Sequence, residues 1–209
     1  MTVSLQQKLE QGLAALSLSA NAEQRRLYLA FLHLFNKWNR AYNLSAVRDL
    51  EQMLTRHLFD SLSICPFFDA ATCLDVGSGG GLPGIPLAIT FPDRQFTLID
   101  SNGKKTRFLF QAVSELGLKN VTVEQGRVEE KSYPPLYDGI VSRAFSTINA
   151  MLDSSAQLLA ENGKVYAMKG RYPAEEIKNL PPGFAIEAVH ILQVPGSTGE
   201  RHLVILHKD

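Results

Sequence analysis

The sequence has no excess of charge of either sign: 21 lysines and arginines face 21 aspartates and glutamates. Polyanion binders usually show a basic surplus, so any nucleic-acid site here must be a local patch. No apolar run approaches the ~20 residues of a membrane-spanning helix. The opening residues, MTVSLQQKLEQGLAAL, are amphipathic and lack the charged cap and apolar stretch of a signal peptide. No membrane partner is expected. Cysteine is scarce. Cys65 and Cys73 are the only two, with no CxxC and no clustered histidines. That argues against a disulfide framework and a zinc site and predicts buried free thiols in a cytoplasmic protein with no metal. There is no GxxxxGK[ST], which excludes a P-loop. No Ser-His-Asp arrangement stands out among five scattered histidines. His57 falls on the apolar phase of its helix and reads as a core or interface histidine.

What is present divides near residue 65. The first 65 residues read as a helical extension, and residues 66–209 read as one α/β domain. Leu5, Leu9, Leu13 and Leu16 repeat at helical spacing. A second helix is expected over 22–38, with Asn21 as N-cap and Leu27, Phe31, Leu34, Phe35 and Trp38 on one stripe. A third is expected over about 49–64, ended by Pro66.

Beyond Thr72 short β-like runs alternate with helical stretches. The runs cover 72–76, 95–100, 120–125, 137–142, 164–169, 184–194 and 201–207. Helices are expected near 86–91, 104–116, 148–161 and 174–179. Such alternation implies a parallel sheet with helices on both faces. Only QVPGSTGE separates the last two strands. That is too short for a helical crossover, so they should form an antiparallel hairpin. The expected fold is α/β and Rossmann-like: a class I methyltransferase plan of seven strands, mostly parallel, ending in an antiparallel hairpin.

The sharpest local feature is LDVGSGGGLPG (74–84), placed after a strand and before a helix. Open α/β sheets bind ligands there, at the carboxyl ends of their strands. Glycines let the backbone turn tightly and approach a ligand. Two readings compete. Gly79-x-Gly81-x-x-Gly84 satisfies the dinucleotide fingerprint, which would seat a pyrophosphate on the helix N-terminus. Against it, Pro83 and Pro86 remove two N–H donors, and Asp75 would set anion beside anion. Asp75 better suits a ligand with a cationic amino group, such as the methionine end of S-adenosylmethionine. Asp100 ends the second strand, 25 positions after Asp75. Both ligand classes use an acid there for a ribose diol.

Six blocks follow one another in order: WNRAYNL (38–44), RHLFDSL (56–62), DVGSGGGLPGIP (75–86), DSNGKKTRF (100–108), GRVEE (126–130) and YDGIVSRAF (137–145). Together they resemble the bacterial glucose-inhibited division protein B family, over about residues 27–207. The turn carries Gly80 where some members have proline. The resemblance implies a methyltransferase that moves a methyl group from S-adenosyl-L-methionine to N7 of one guanine in 16S ribosomal RNA of the small subunit. It implies that Gly77 and Leu82 line the methionine–ribose side of the cofactor, and that Gly79 is also a cofactor-binding residue. Asp100 would be the ribose acid, and Val128 and Glu129 would hold the adenine region. Arg143 would face the same pocket. Lys104, Arg127, Lys169 and Arg201 match basic positions implicated in cofactor or RNA contacts.

No catalytic residue is assigned. Guanine N7 has an in-plane lone pair and no proton, so attack on a sulfonium methyl needs positioning, not a base. Arg143 beside a cationic cofactor is unfavourable alone, and pairing with an acid or an RNA phosphate suits it better. Further basic candidates are Arg25, Arg26, Lys37, Arg40 and Arg48 in the extension, and Lys105, Arg107 and Arg171 near the sheet edge. The expected partner is 16S ribosomal RNA or the small ribosomal subunit, and the expected state a monomer. A small-molecule or protein methyltransferase, a nicotinamide oxidoreductase and a cofactor-free RNA-binding protein remain as alternatives.

Overall fold

The computed structural model describes residues 3–131, 136–143 and 145–209. Ala144, within the YDGIVSRAF block, lies outside them, as do the first two residues of the amphipathic start. One seven-stranded sheet organises the chain: Thr72–Val76 (β1), Gln95–Asp100 (β2), Val121–Gln125 (β3), Tyr137–Ser142 (β4), Leu159–Lys169 (β5), Phe184–Ile191 (β6) and His202–Lys208 (β7). Their spatial order is β3-β2-β1-β4-β5-β7-β6. The first five run parallel. β7 is antiparallel to both β5 and β6, so the hairpin turns back to insert its second strand next to β5. The order reverses between β1 and β4, which opens a crevice at the carboxyl ends of those strands.

Successive strand residues point to opposite faces. Cys73, Phe96 and Leu98 therefore enter one core, and Leu74, Val76 and Ile99 another. The first core is shared with the N-terminal helices. Leu9 and Leu13 of α1 (Leu5–Ala15), and Phe31 and Phe35 of α2 (Ala22–Tyr42), pack with residues of α5 (Gly84–Thr90) and α6 (Gly103–Leu116). The second core is closed by Ile148, Met151 and Leu152 of α7 (Ile148–Ser155). Asn21 caps α2 in a reciprocal box with Gln24. Cys65 and Cys73 are free and buried.

Two elements differ from the pattern reading. The helix expected to 161 stops at Ser155, and after one 3-10 turn β5 begins at Leu159. Leu159 registers against Tyr137, and Gly163 sits so close that an added Cβ would lie 2.9 Å from the Tyr137 carbonyl oxygen. Strand pairing there overrides local helix preference. The helix expected over 49–64 is α3 (Leu50–Met53) and α4 (Asp60–Leu62), joined by a π-helical segment, Leu54–Phe59. Its extra residue per turn brings His57, Asp60 and Ser61 inside together with Leu54, Leu58 and Phe59. Such segments are frequent at functional sites. The last helix, α8, spans Ala174–Lys178.

Candidate functional site

The turn after β1 is fastened to β2. The amides of Gly77 and Ser78 both donate to the Ile99 carbonyl, at 2.9 and 3.2 Å. The Gly79 amide donates to Asp100 Oδ2 at 2.9 Å, and the Asn102 amide to Asp100 Oδ1 at 2.8 Å. Asp100 is thereby fixed at the lip of the crevice. Gly77 and Gly79 hold φ of +68° and +58°, where side chains are strained. A Cβ on Gly79 would approach only the Gly77 carbonyl and Lys105 Nζ, at 3.8 and 3.9 Å. The turn thus offers a cradle that a ligand could enter.

The neighbouring glycines serve packing. A Cβ on Gly80 would overlap the buried Phe35 ring of α2. One on Gly84 would overlap Leu98 and stand 2.6 Å from Asp75 Oδ2. The Gly84 amide donates to that same oxygen at 2.9 Å. This contact bears on two expectations. Asp75 is fully buried, with Oδ2 held by its own loop and Oδ1 without a hydrogen-bond partner among the described residues. The amide that a pyrophosphate would need is already taken, which counts against the dinucleotide reading of Gly79-x-Gly81-x-x-Gly84. Burial pushes the Asp75 carboxyl up to about 6, opposed by the Ser78 hydroxyl and the Gly84 amide.

Four adjoining cavities run along this edge. The first, about 340 Å³, is lined by Gly77, Ile99, Asp100, Arg127, Val128 and Glu129, with Lys105 and Phe145 at its sides. It shares Gly77 and Lys105 with a central cavity of about 200 Å³, which also meets Gly79, Leu82, His57 and Arg143. That one shares His57 and Arg143 with a cavity of about 350 Å³ containing Arg56, Asp60, Lys169 and Arg201. The last, about 310 Å³, shares Arg56 and Arg201 and reaches the β6–β7 loop at 196–199.

Asp60 organises the third cavity. It is 2% exposed. Arg143 Nη1 donates to its Oδ2 at 3.0 Å, and Arg201 Nε to its Oδ1 at 2.6 Å. Arg143 also donates to the Arg56 carbonyl at 3.1 Å. One carboxylate therefore ties the helical segment to the end of β4 and the start of β7. Lys169 is paired as well. Its Nζ lies 2.8 Å from Glu176 Oε2 and donates to the Ser146 carbonyl at 3.1 Å. Glu176 in turn accepts from the Ile148 amide at 2.6 Å, holding the start of α7.

His57 lies between the central and third cavities, edge-on to Phe35. Its Nε2 is 2.8 Å from Ser45 Oγ and its Nδ1 is 3.0 Å from the Arg56 carbonyl. Burial, helped by the Arg143 charge, lowers it to about 4, so the ring is neutral at pH 7. A neutral ring donates through Nδ1 to the carbonyl and accepts from the Ser45 hydroxyl at Nε2. Among the described residues no group of three or more His, Cys, Asp or Glu could hold a metal. Among the described residues no helix is long and apolar enough to cross a membrane.

A family model described as GidB, rRNA small subunit methyltransferase G, matches residues 24–204. The chain belongs to the GidB family. This GidB chain is 53% identical to a ribosomal RNA small subunit methyltransferase G of Marinobacter nauticus, over 95% of this chain and 93% of that protein. It is 48% identical to the protein of the same name from Salmonella schwarzengrund, over 95% and 96%. Among solved structures, a putative O-methyltransferase from Klebsiella pneumoniae superposes with a TM-score of 0.59 at 14% identity, covering 99% of this chain and 100% of that one. TrmN from Thermus thermophilus gives 0.55 at 21% identity, over 82% and 53%. These likenesses show that the GidB chain has the class I methyltransferase fold.

In the GidB chain, Gly77, Asp100, Arg127, Val128 and Glu129 meet in the first cavity, and Gly79, Leu82 and Arg143 in the central one. Lys169 and Arg201 meet in the third, both with carboxylate partners already. Lys104 stands apart from all four cavities, exposed at the start of α6. Its neighbour Lys105 enters the site instead, 3.9 Å from Asp100. The sequence reading assigned no role there to Asp60, Arg56, Ile99 or Phe145. A signal for Asp60 existed: an acid within the apolar run LFDSL must find a cation if buried.

Proposed function

We propose that this chain transfers the methyl group of S-adenosyl-L-methionine to N7 of a guanine in 16S ribosomal RNA of the small subunit. The observation that carries the reading is one run of cavities with two unlike halves. The first two combine glycine backbone, Asp100 and the apolar Val76, Ile99, Val128 and Leu82 with Lys105, Arg127, Glu129 and Arg143 at their walls. The next two are rich in guanidinium. In this reading residues 1–65 form a helical extension to a methyltransferase domain of residues 66–209, acting as a cytoplasmic monomer.

When bound, the cofactor supplies an electrophilic sulfonium methyl. The Gly77–Gly79 backbone and Leu82 would take its methionine–ribose part. Asp100 has about two lone-pair sites left beyond its two amide bonds and would accept from the ribose diol. Val128 and Ile99 would flank the adenine, with Glu129 at its edge. The guanine would enter the central cavity between His57 and Arg143. N7 has no proton to lose, so the residues there orient the base and exclude water. Such orientation supplies roughly 7–11 kcal/mol in favourable cases. Asp60 keeps Arg143 from confronting the sulfonium as a bare charge. Arg127, Lys105 and the remaining N–H groups of Arg201 and Lys169 would meet RNA phosphates.

The test is label transfer from S-adenosylmethionine to small subunits from a strain lacking this gene, followed by digestion of the RNA. Label as 7-methylguanosine at one position is expected. Label in another nucleoside, or none while the cofactor still binds, overturns the substrate assignment.

A further inference from the structure

The fourth cavity has a composition the cofactor does not explain. It is lined by Thr55 and Arg56 of the π-helical segment, by residues 196–199 (Gly-Ser-Thr-Gly) of the β6–β7 loop, and by Arg201. No acidic side chain lines it. Glu200 is the only acid in the loop and lies outside the lining. The loop is seated on the helical segment: a Cβ on Gly196 would come 3.1 Å from Thr55 Oγ1, and Gly196 holds φ of +76°.

The cations of the third cavity differ in one respect. Arg143 and Arg201 share Asp60, and Lys169 has Glu176. The exposed guanidinium of Arg56 has no carboxylate partner among the described residues, though its own backbone carbonyl accepts from Arg143. It lines both the third and the fourth cavity, so it stands where a ligand leaving the first would enter the second. Ser197 and Thr198 add hydroxyls to the lining, the Ser197 oxygen accepting from the Gly199 amide at 3.3 Å. An unpaired planar fork beside hydroxyls and glycine backbone suits a phosphate.

Resting on the reading above, we propose that Arg56 and the loop at 196–199 clamp a backbone phosphate of the RNA beside the nucleotide that is methylated. The target base turns toward the cofactor while its neighbour's phosphate is held some way along the same edge. Phosphate contacts place a nucleic acid without choosing its sequence. The clamp therefore sets the register of the strand, and base recognition stays with the central cavity.

The test compares the wild type with Arg56→Gln, Arg56→Lys and Thr198→Glu, using unmethylated small-subunit RNA over a series of salt concentrations. Arg56→Gln is expected to weaken RNA binding about tenfold and to lower the slope of log affinity against log salt by about one. Arg56→Lys should restore the slope. Thr198→Glu, in an exposed loop, should weaken RNA binding without altering the fold. S-adenosylmethionine binding by calorimetry should stay within about twofold throughout. A wild-type salt slope in Arg56→Gln overturns the clamp, as does equal loss of cofactor and RNA binding. If Arg56→Gln does not fold, undiminished RNA binding by Thr198→Glu overturns it. If the wild type itself neither binds nor methylates RNA, the functional reading fails first, and the clamp with it.

Discussion

Three arginines and a lysine line the third cavity, and their different partners assign them different work. Asp60 engages two guanidiniums and Glu176 the lysine, which leaves Arg56 available. His57 stands among them without charge. A buried imidazole held near 4 must gain a proton on unfolding wherever the pH lies below its ordinary 6.5. Its contribution is present above 6.5 and is lost as pH falls toward 4. Asp75, raised to about 6, acts in the opposite sense: its penalty on the folded state grows as pH rises from its ordinary 3.8 through 6. The two effects offset each other in the wild type, so the histidine must be isolated by substitution. Relative to His57→Gln, the wild type is expected to lose about 2 kcal/mol of stability between pH 8 and pH 5. Urea unfolding of both proteins at the two pH values measures it, and parallel pH profiles would contradict the assignment.

At the scale of elements, the contact between α2 and the glycine turn matters most. Phe35 is buried against Gly80, where a side chain would have to overlap its ring. Gly80→Ala is expected to cost about 1–3 kcal/mol through overpacking. Combining it with Phe35→Leu should recover part of that loss, as read by denaturant midpoints. Simple additivity of the two changes would show that the sites do not touch. The strands were legible because each alternates between two cores, and β1, β2 and β4 fall where the pattern puts them. The join at Ser155–Leu159 was not legible, because Leu159 pairs with Tyr137 of β4, distant in sequence, before an irregularity after which the register resumes at Lys164. The π-helical segment was hidden for another reason. Periodicity identifies an apolar face but does not count hydrogen bonds, so the inward turn of Asp60 needed three-dimensional partners, Arg143 and Arg201, to be seen. Within the site, one-residue spacing decided between Lys104 and Lys105, which differ by about 100° around their helix.

For the whole molecule, the shared core of the N-terminal helices and the sheet makes ligand binding a global stability effect. A ligand at about 100 times its Kd adds about 2.7 kcal/mol. For a chain of this size that corresponds to a Tm rise of roughly 5–10 °C. S-adenosylhomocysteine is expected to give that rise and NAD none. Gly77→Asp, which puts a carboxylate into the turn at a positive φ, should abolish the rise and still melt in one transition. A shift with NAD would restore the dinucleotide reading, and a normal shift in Gly77→Asp would move the cofactor elsewhere.

The position of β7 has a consequence for how the protein is made. It is synthesised after the other six strands, yet it lies between β5 and β6, and the residue just before it, Arg201, meets Asp60. As the chain is made, the residues that line the first two cavities precede Arg201, so the third and fourth cavities gain that wall only after the glycine turn and the first five strands have been synthesised.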